Sequence, residues 1–221
     1  MDVSRLKVAT LEDHRLVEDS LPLMQPDLTR DTYIAVLQRL YGIVAAWEEL
    51  AEERFTGSLQ DAAKSRRRLS LLEQDLRFFG VHPESDDRPL FPDFEDACEL
   101  AGAMYVMEGS RLGGQFIARH VSETLGLGSS GCSFFSGFGV GTGAKWNEFL
   151  DVLRTQIDDS CSEKVIIGAK RCLESSARGC EPAPSWSRLS KARPRERSPD
   201  KHPAAAGLFS RCCLASRRTT I

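Results

Sequence analysis

The sequence has no run of about eighteen apolar residues, the length that a membrane-spanning helix requires. Its N-terminus also has no apolar segment followed by small residues of the kind that precedes signal cleavage. We therefore expect a cytoplasmic protein without a membrane partner. Its seven cysteines form no Cys-x-x-Cys pair, which excludes the usual zinc and redox spacings. A helical protein of this size does not need disulfides, so most of the thiols are expected to be free and unreactive.

Strand-like alternation of apolar and polar residues is also lacking, whereas helical spacing recurs along most of the chain. The length of 221 residues, 41% of them hydrophobic, is ample for one domain with a core. The fold class predicted from these patterns is all-α. Helices are expected from Thr29, a capping residue, to about residue 50, and over about 59–80, 94–125, 142–159 and 162–175.

Charge and proline content divide the chain near residue 176. Residues 177–221 carry ten Lys and Arg against three Asp and Glu, whereas residues 1–176 carry 19 against 29. The C-terminal stretch is rich in Pro, Ser and Arg, and its apolar residues lack helical spacing. We predict a helical domain over 1–176 and a disordered basic tail over 177–221. Binding of nucleic acid by this tail is a less favoured alternative.

Three glycines interrupt the segment 105–115, which otherwise has the pattern of one long amphipathic helix. Each glycine inside a helix costs about 1 kcal/mol relative to alanine, so the pattern needs a reason. Gly109 and Gly113 are four residues apart and would share a helix face, where a flat molecule such as a porphyrin could approach the backbone. Two alternatives are close packing of two ordinary helices and the end of one helix followed by the start of another.

His14 and Glu18 are one helical turn apart in the N-terminal segment 6–18. The carboxylate could orient the imidazole while the ring's Nε2 binds a metal ion. The alternative is that both residues belong to a solvated helix face.

Together these two segments resemble the heme oxygenases, and within them the bacterial group associated with phytochromes. The N-terminal segment matches at five positions, and further matches are found in the glycine segment, in the run 131–139 and in Trp146-x-x-Phe149. The five N-terminal matches are Lys7, Ala9, Thr10, His14 and Glu18. The resemblance covers about residues 4–170 and fades after them. It implies a multi-helix bundle with a kinked, glycine-rich distal helix.

The resemblance also implies a reaction. Heme would be both substrate and cofactor, and O2 with an external electron donor would convert it to biliverdin, CO and Fe(II). The implied partners are a ferredoxin- or flavoprotein-type electron donor and a bacteriophytochrome that accepts the biliverdin. Within the sequence, Arg66-Arg67-Arg68 is a candidate docking patch for an acidic donor. The alternative for this cluster is a solvated helix face.

Site residues follow from the same resemblance. The implied heme-binding residues are Lys7, His14, Glu18, Met104, Gly109 and Gly113. His14 would ligate the iron and Lys7 would pair with a propionate. Ser110 stands where the animal enzymes have an aspartate that organises distal waters, so Gly109, Ser110 and Gly113 form the expected catalytic set.

Other positions in the matching region depart from the family or are assigned to packing. Met104 replaces a tyrosine of the animal enzymes, and Leu173 occupies a phenylalanine position of the last helix. Gly114 and Gln115 complete the glycine motif, and we assign them to helix packing before catalysis.

Two other classes of function stay open from the sequence. A heme-binding or heme-sensing protein would have the same pocket without turnover. A helical interaction protein without cofactor would use every motif above for packing. A thiaminase-like bundle is more remote, because the pocket cysteine and carboxylates that it needs cannot be placed.

Overall fold

The structure is a computed structural model that describes residues 2–83, 91–128 and 130–180. These residues form ten α-helices and three short 3-10 helices, without a strand, so the all-α prediction is confirmed. The helices are α1 Val3–Ala9, α2 Leu11–Ser20, α3 Arg30–Arg54, α4 Gly57–Ser65, α5 Leu69–Phe78, α6 Ala97–Gly109, α7 Gly114–Leu125, α8 Ser133–Ser136, α9 Thr142–Gln156 and α10 Ser162–Cys180. No helix in these ranges is both long and apolar enough to cross a membrane.

Helix α3 confirms the expected helix that starts after Thr29. The Thr29 hydroxyl accepts a hydrogen bond of 3.2 Å from the backbone N–H of Thr32, which caps the helix N-terminus. Its apolar positions, among them Val36, Leu37 and Val44, are buried in the core. This long helix supplies one wall of the cavity described below.

The single helix predicted over 59–80 is wrong, because the structure has two helices, α4 and α5, in this range. A residue outside the segment stabilises the break at residues 66–68. Glu48 Oε1, on α3, accepts hydrogen bonds from the backbone N–H groups of Arg68 at 2.6 Å and Leu69 at 3.0 Å. A carboxylate from another helix thus caps α5, and helical spacing along one segment carries no sign of such a contact.

The glycine-interrupted helix is kinked, as the resemblance implied. Helix α6 ends at Gly109 and α7 begins at Gly114. Between them, the backbone N–H of Leu112 donates to the carbonyl oxygen of Gly109 at 3.0 Å, and that of Gly114 donates to the carbonyl oxygen of Arg111 at 3.1 Å. The chain therefore turns through tight hydrogen bonds between residues three positions apart. The prediction of an amphipathic pattern is wrong for α6, since residues 99–109 are all buried.

Helix α10 packs against α6 and α2 and runs to Cys180, beyond the predicted end near residue 175 and across the predicted domain boundary. Glycines allow the close approach to α6. A β-carbon on Gly102 would lie 2.0 Å from the carbonyl oxygen of Val165, and one on Gly168 would lie 1.9 Å from that of Glu99. Close helix packing, one of the alternatives for glycine on helices, applies at these two positions. The predicted disorder of 181–221 lies outside the described residues.

The cysteines differ from expectation at one pair. Cys98, at the start of α6, is disulfide-bonded to Cys161, just before α10, with 5.7 Å between their Cα atoms. The expectation that a helical protein would not need disulfides gave no sign of this pair, because the fold brings together two residues 63 positions apart. Cys132 and Cys172 are free and buried, and burial raises the pKa of the Cys172 thiol to about 12. Those two thiols fit the prediction of unreactive cysteines.

Candidate functional site

A cavity of about 530 Å³ lies between α2, α3, the α6–α7 turn, α8 and α10. This volume is in the range of pockets that hold small molecules and cofactors. Its walls are mostly apolar and include Leu40, Ile43, Val106, Ile117, Phe134 and Leu173. Polar side chains interrupt them at eight of the 23 lining positions. A large, flat, apolar ligand with a few polar groups fits such a lining.

Helix α2 brings His14 and Glu18 to one wall of the cavity, as the sequence predicted. The segment 6–18 is two helices rather than one, because it bends at Thr10, whose hydroxyl donates back to the carbonyl oxygen of Leu6 at 3.0 Å. His14 is half-buried. Burial lowers the pKa of its imidazole, and the nearby Asp13 carboxylate opposes this shift. A lowered pKa favours the neutral imidazole, the form that binds a metal ion.

Another part of the cavity wall comes from the α6–α7 turn. Ser110, Gly113 and Gly114 border the cavity there, and Gly113 is buried. Gly109 is not among the lining residues. A β-carbon on Gly109 would instead meet the Trp146 ring at 3.7 Å. Gly109 and Gly113 do not belong to one continuous helix, since α6 ends at Gly109 and α7 begins at Gly114, and a shared face stays a prediction.

Two further predicted site residues also lie away from this cavity. Met104 is 1% exposed, and it lines a separate space of about 20 Å³ with Trp47 and Met107. Lys7 lies half-buried on α1 and is not part of the cavity lining. Their expected contacts with heme therefore stay predictions that rest on the resemblance alone.

The assignment of Gly114 and Gln115 to packing agrees with the structure. A β-carbon on Gly114 would lie 2.3 Å from the carbonyl oxygen of Phe135, so α7 starts against the backbone of α8. The Gln115 amide Nε2 donates to the carbonyl oxygen of Gly139 and lies 3.4 Å from the Thr142 hydroxyl. Both residues fix the distal segment against the chain that follows it.

Asp75 is a buried residue of α5 that the sequence did not single out. Its carboxylate accepts hydrogen bonds from the backbone N–H groups of Ser133 at 2.8 Å and Phe134 at 2.9 Å. It thereby caps α8 and positions Phe134 and Phe135 in the cavity wall. Burial raises the pKa of Asp75, while the backbone hydrogen bonds partly offset this effect.

The triple-arginine cluster is not an exposed docking patch. Arg66 and Arg68 are 5% and 6% exposed, and of the three only Arg67 reaches the surface. Arg66 pairs with buried Glu108 at 3.5 Å, and Arg67 pairs with Glu48 at 3.1 Å. Both interpretations of this cluster as a surface feature are wrong for Arg66 and Arg68, because the two side chains are buried between α4 and α5.

Two arginines line the cavity and were missed by sequence reasoning. Arg68 Nη2 donates to the Ser110 hydroxyl at 2.7 Å and to the carbonyl oxygen of Met107 at 3.1 Å. Arg111 Nε donates to Glu108 Oε1 at 3.3 Å, and its Nη2 donates to the carbonyl oxygen of Arg66. The one signal in the sequence was Arg111 itself, a charged residue in the otherwise uncharged turn 109–115.

Leu173 lies where the resemblance expected a phenylalanine. It is 2% exposed and borders the cavity from α10, together with Ser176. The last helix therefore reaches this wall with a smaller side chain than phenylalanine.

The described residues contain no cluster of three or more His, Cys, Asp or Glu that could hold a metal ion. His14 is the histidine that borders the cavity. A metal ion held here by protein alone would lack ligands, whereas the iron of a porphyrin brings four nitrogen ligands and needs only an axial imidazole. The donor set therefore fits heme.

Comparison with known proteins shows the family and the fold of this chain. The sequence model of the heme oxygenase family matches residues 2–176. A heme oxygenase of Xanthomonas campestris pv. campestris is 28% identical over 164 residues, which cover 71% of this chain and 97% of that protein. The crystal structure of the NO- and CO-bound heme oxygenase from Neisseria meningitidis has the same fold, with a TM-score of 0.67. It is 23% identical, and the match covers 80% of this chain and 88% of that one.

The chain belongs to the heme oxygenase family. Membership of this family and the shared all-α fold support degradation of heme by an oxidoreductase, with heme as its substrate.

Proposed function

We propose that this protein cleaves heme to biliverdin, CO and Fe(II), with O2 and electrons from an external donor. The observation that carries the proposal is the cavity itself. His14 of α2 lies on one wall, and the nearly bare backbone of Gly113 and Gly114 lies on the α6–α7 side. The cavity of about 530 Å³ is large enough for a cofactor, and these groups on its wall would suit the two faces of a porphyrin.

Bound heme supplies the iron that activates O2 and the porphyrin that is oxidised. The chain contributes position and environment. His14 offers a neutral nitrogen ligand, since burial lowers its pKa. An imidazole lacks the electron donation by which a thiolate promotes O–O cleavage. Glu18 lies one turn along α2 on the same wall, and we assign to its carboxylate the role of orienting the His14 ring.

On the distal side the residues act by what they exclude. Gly113 and Gly114 have no side chain that could act as an acid, and Val106 and Ile117 keep the wall apolar. The backbone of the α6–α7 turn would therefore leave space for a small ligand and offer it no acidic side chain from these glycines. Among the polar residues that line the cavity at this turn, Ser110 and Arg68 are linked by a hydrogen bond of 2.7 Å.

The partners are proposed on the resemblance. A ferredoxin- or flavoprotein-type donor would supply the electrons, and a bacteriophytochrome would accept the biliverdin. Because Arg66 and Arg68 are buried, the donor must dock on a surface other than the triple-arginine cluster.

A second candidate is a heme-binding or heme-sensing protein without turnover. It is favoured by Ser110, whose hydroxyl donates to the carbonyl oxygen of Met107 at 2.8 Å rather than into the cavity. Titration with hemin followed by turnover with ascorbate or reduced ferredoxin separates the candidates. We expect a Soret band to form and then to decay as biliverdin absorbance grows. A stable Soret band under reductant and O2 would favour the second candidate, and no Soret band would contradict both.

A further inference from the structure

The distal wall contains a buried cation whose use the family assignment leaves open. We propose that Arg68 is the anion-stabilising group of this cavity: it holds Ser110 as a hydrogen-bond acceptor and directs positive charge at an anionic ligand of the bound heme. The inference rests on heme binding in this cavity, as the proposed function requires. It identifies a residue outside the glycine motif as the polar determinant of the distal side.

The Ser110 hydroxyl has a single proton. That proton is donated to the carbonyl oxygen of Met107 at 2.8 Å. The Ser110 oxygen accepts in turn from Arg68 Nη2 at 2.7 Å. Ser110 is therefore left with a lone pair and no donor, so it can orient a water molecule but cannot donate to a ligand in the cavity.

Arg68 belongs to a cluster of buried charged side chains. Three buried arginines, Arg66, Arg68 and Arg111, face two buried glutamates, Glu48 and Glu108. Glu108 pairs with Arg66 at 3.5 Å and with Arg111 at 3.3 Å.

Glu48 pairs with the exposed Arg67 at 3.1 Å. In the part of the chain that the structure describes, the Arg68 guanidinium forms no ion pair with a carboxylate. Of the three buried arginines in this cluster, Arg68 is thus the one without a directly paired carboxylate there, and it borders the cavity.

The Arg68 side chain is held in place by an aromatic ring and keeps N–H donors unused by the described residues. The Arg68 guanidinium carbon lies 4.6 Å from the centroid of the Phe134 ring, and Asp75 fixes the backbone of Phe134. Among the described residues, the hydrogen bonds of this side chain come from Nη2 alone. Nε and Nη1 are held in place, and neither donates to a protein group there.

The electrostatics of the group agree with this arrangement. Burial, and next the neighbouring Arg111 guanidinium, lower the pKa of Arg68 to about 9, so it stays charged at neutral pH. A buried charge without a paired carboxylate is unfavourable in the empty cavity, and an anion bound nearby relieves it.

The test uses small anions as probes of the ferric heme complex of the full chain. Azide and fluoride affinities are measured by optical titration for the wild type, Arg68→Met and Arg68→Lys. We expect Arg68→Met to weaken both anions by roughly tenfold to a hundredfold, as for loss of a charge-assisted hydrogen bond. Arg68→Lys should lie between the two. The affinity of imidazole, a neutral ligand, should change by much less.

The matched control is Arg67→Met, which removes the neighbouring exposed arginine and should leave both anion affinities unchanged. Equal loss for azide and imidazole in Arg68→Met would show a merely structural role and overturn the proposal. If Arg68→Met does not fold, Arg68→Lys decides: anion affinities equal to wild type would overturn the proposal.

Failure of the proposed function gives a different pattern. A wild type that binds no hemin contradicts both the function and this inference. A heme complex that does not turn over, but loses anion affinity in Arg68→Met, supports the inference and contradicts the oxygenase activity.

Discussion

A β-carbon on Gly114 would lie 2.3 Å from the carbonyl oxygen of Phe135, so the start of α7 is in direct contact with the backbone of α8. Both segments border the cavity. We expect Gly114→Ala to destabilise the protein by about 1–3 kcal/mol, as for overpacking in a core, and to weaken hemin binding. Chemical denaturation and hemin titration measure these effects. In the control Gly143→Ala, a β-carbon meets nothing within 4 Å, and stability should not fall.

Gly113 gives a test of the bare distal backbone. A leucine there would place a side chain at the cavity wall, and the φ of −80° at Gly113 is one that leucine adopts without strain, so Gly113→Leu should fold and bind hemin or O2 poorly. The control is Gly109→Ala, whose β-carbon lies at an ordinary contact distance of 3.7 Å from Trp146. Normal hemin binding and turnover in Gly113→Leu would show that close approach of this backbone is not needed.

His14 is expected to be the axial ligand, so His14→Ala should abolish the imidazole-type spectrum of the heme complex and its turnover. Added imidazole should restore part of the spectrum, because the cavity retains its other walls. His82→Ala removes an exposed histidine outside the cavity and serves as the control. A Soret band of His14→Ala identical to that of the wild type would rule out this ligand.

Asp75 gives a prediction about pH. Burial raises its pKa above 3.8, so the folded state binds this proton more tightly than the unfolded chain. The stability that protonated Asp75 contributes therefore falls as the pH rises from about 3.8 through the raised pKa. Asp75→Asn removes the titration and leaves one oxygen for the two N–H groups of α8. We expect the stability advantage of wild type over Asp75→Asn to shrink as pH rises through this window. Urea unfolding between pH 4 and 7 measures it, and an advantage that grows with pH would contradict the assignment.

Leu173 reports on the contribution of α10 to the cavity. Leu173→Ala removes buried apolar volume and should cost about 2–5 kcal/mol of folding free energy. Leu173→Phe adds apolar surface towards the cavity and should strengthen hemin binding. Hemin titration and thermal unfolding of both variants check the pair. No gain in affinity with phenylalanine would show that this wall is already complete.

Local pattern was enough to predict the class of fold and to place His14 and Glu18 on one helix. Thr29 caps α3 as expected, and His14 with Glu18 occupies one wall of the cavity because their spacing on α2 is a property of a single helix. The kink after Gly109 also followed from the glycine segment and its resemblance.

What the sequence could not predict depends on contacts between distant segments. Glu48 of α3 caps α5, and the segment 59–80 therefore forms two helices where the sequence predicted one. Cys98 forms a disulfide with Cys161, which is 63 positions away in the chain. Arg68 was interpreted as a surface charge because its partners Met107 and Ser110 lie about forty positions away in the chain. Gly109 was placed at the cavity because helix geometry was extended through a turn that breaks it.

The most direct test of the proposed oxygenase is a single-turnover measurement on the hemin complex of the full chain. Catalase is included so that free peroxide cannot attack the heme, and biliverdin and CO are quantified in the same sample after addition of reduced ferredoxin and O2. We predict that both products form in amounts equal to the heme consumed, and that His14→Ala forms neither. Recovery of intact heme after the same treatment would contradict the proposal that this chain degrades the heme it binds.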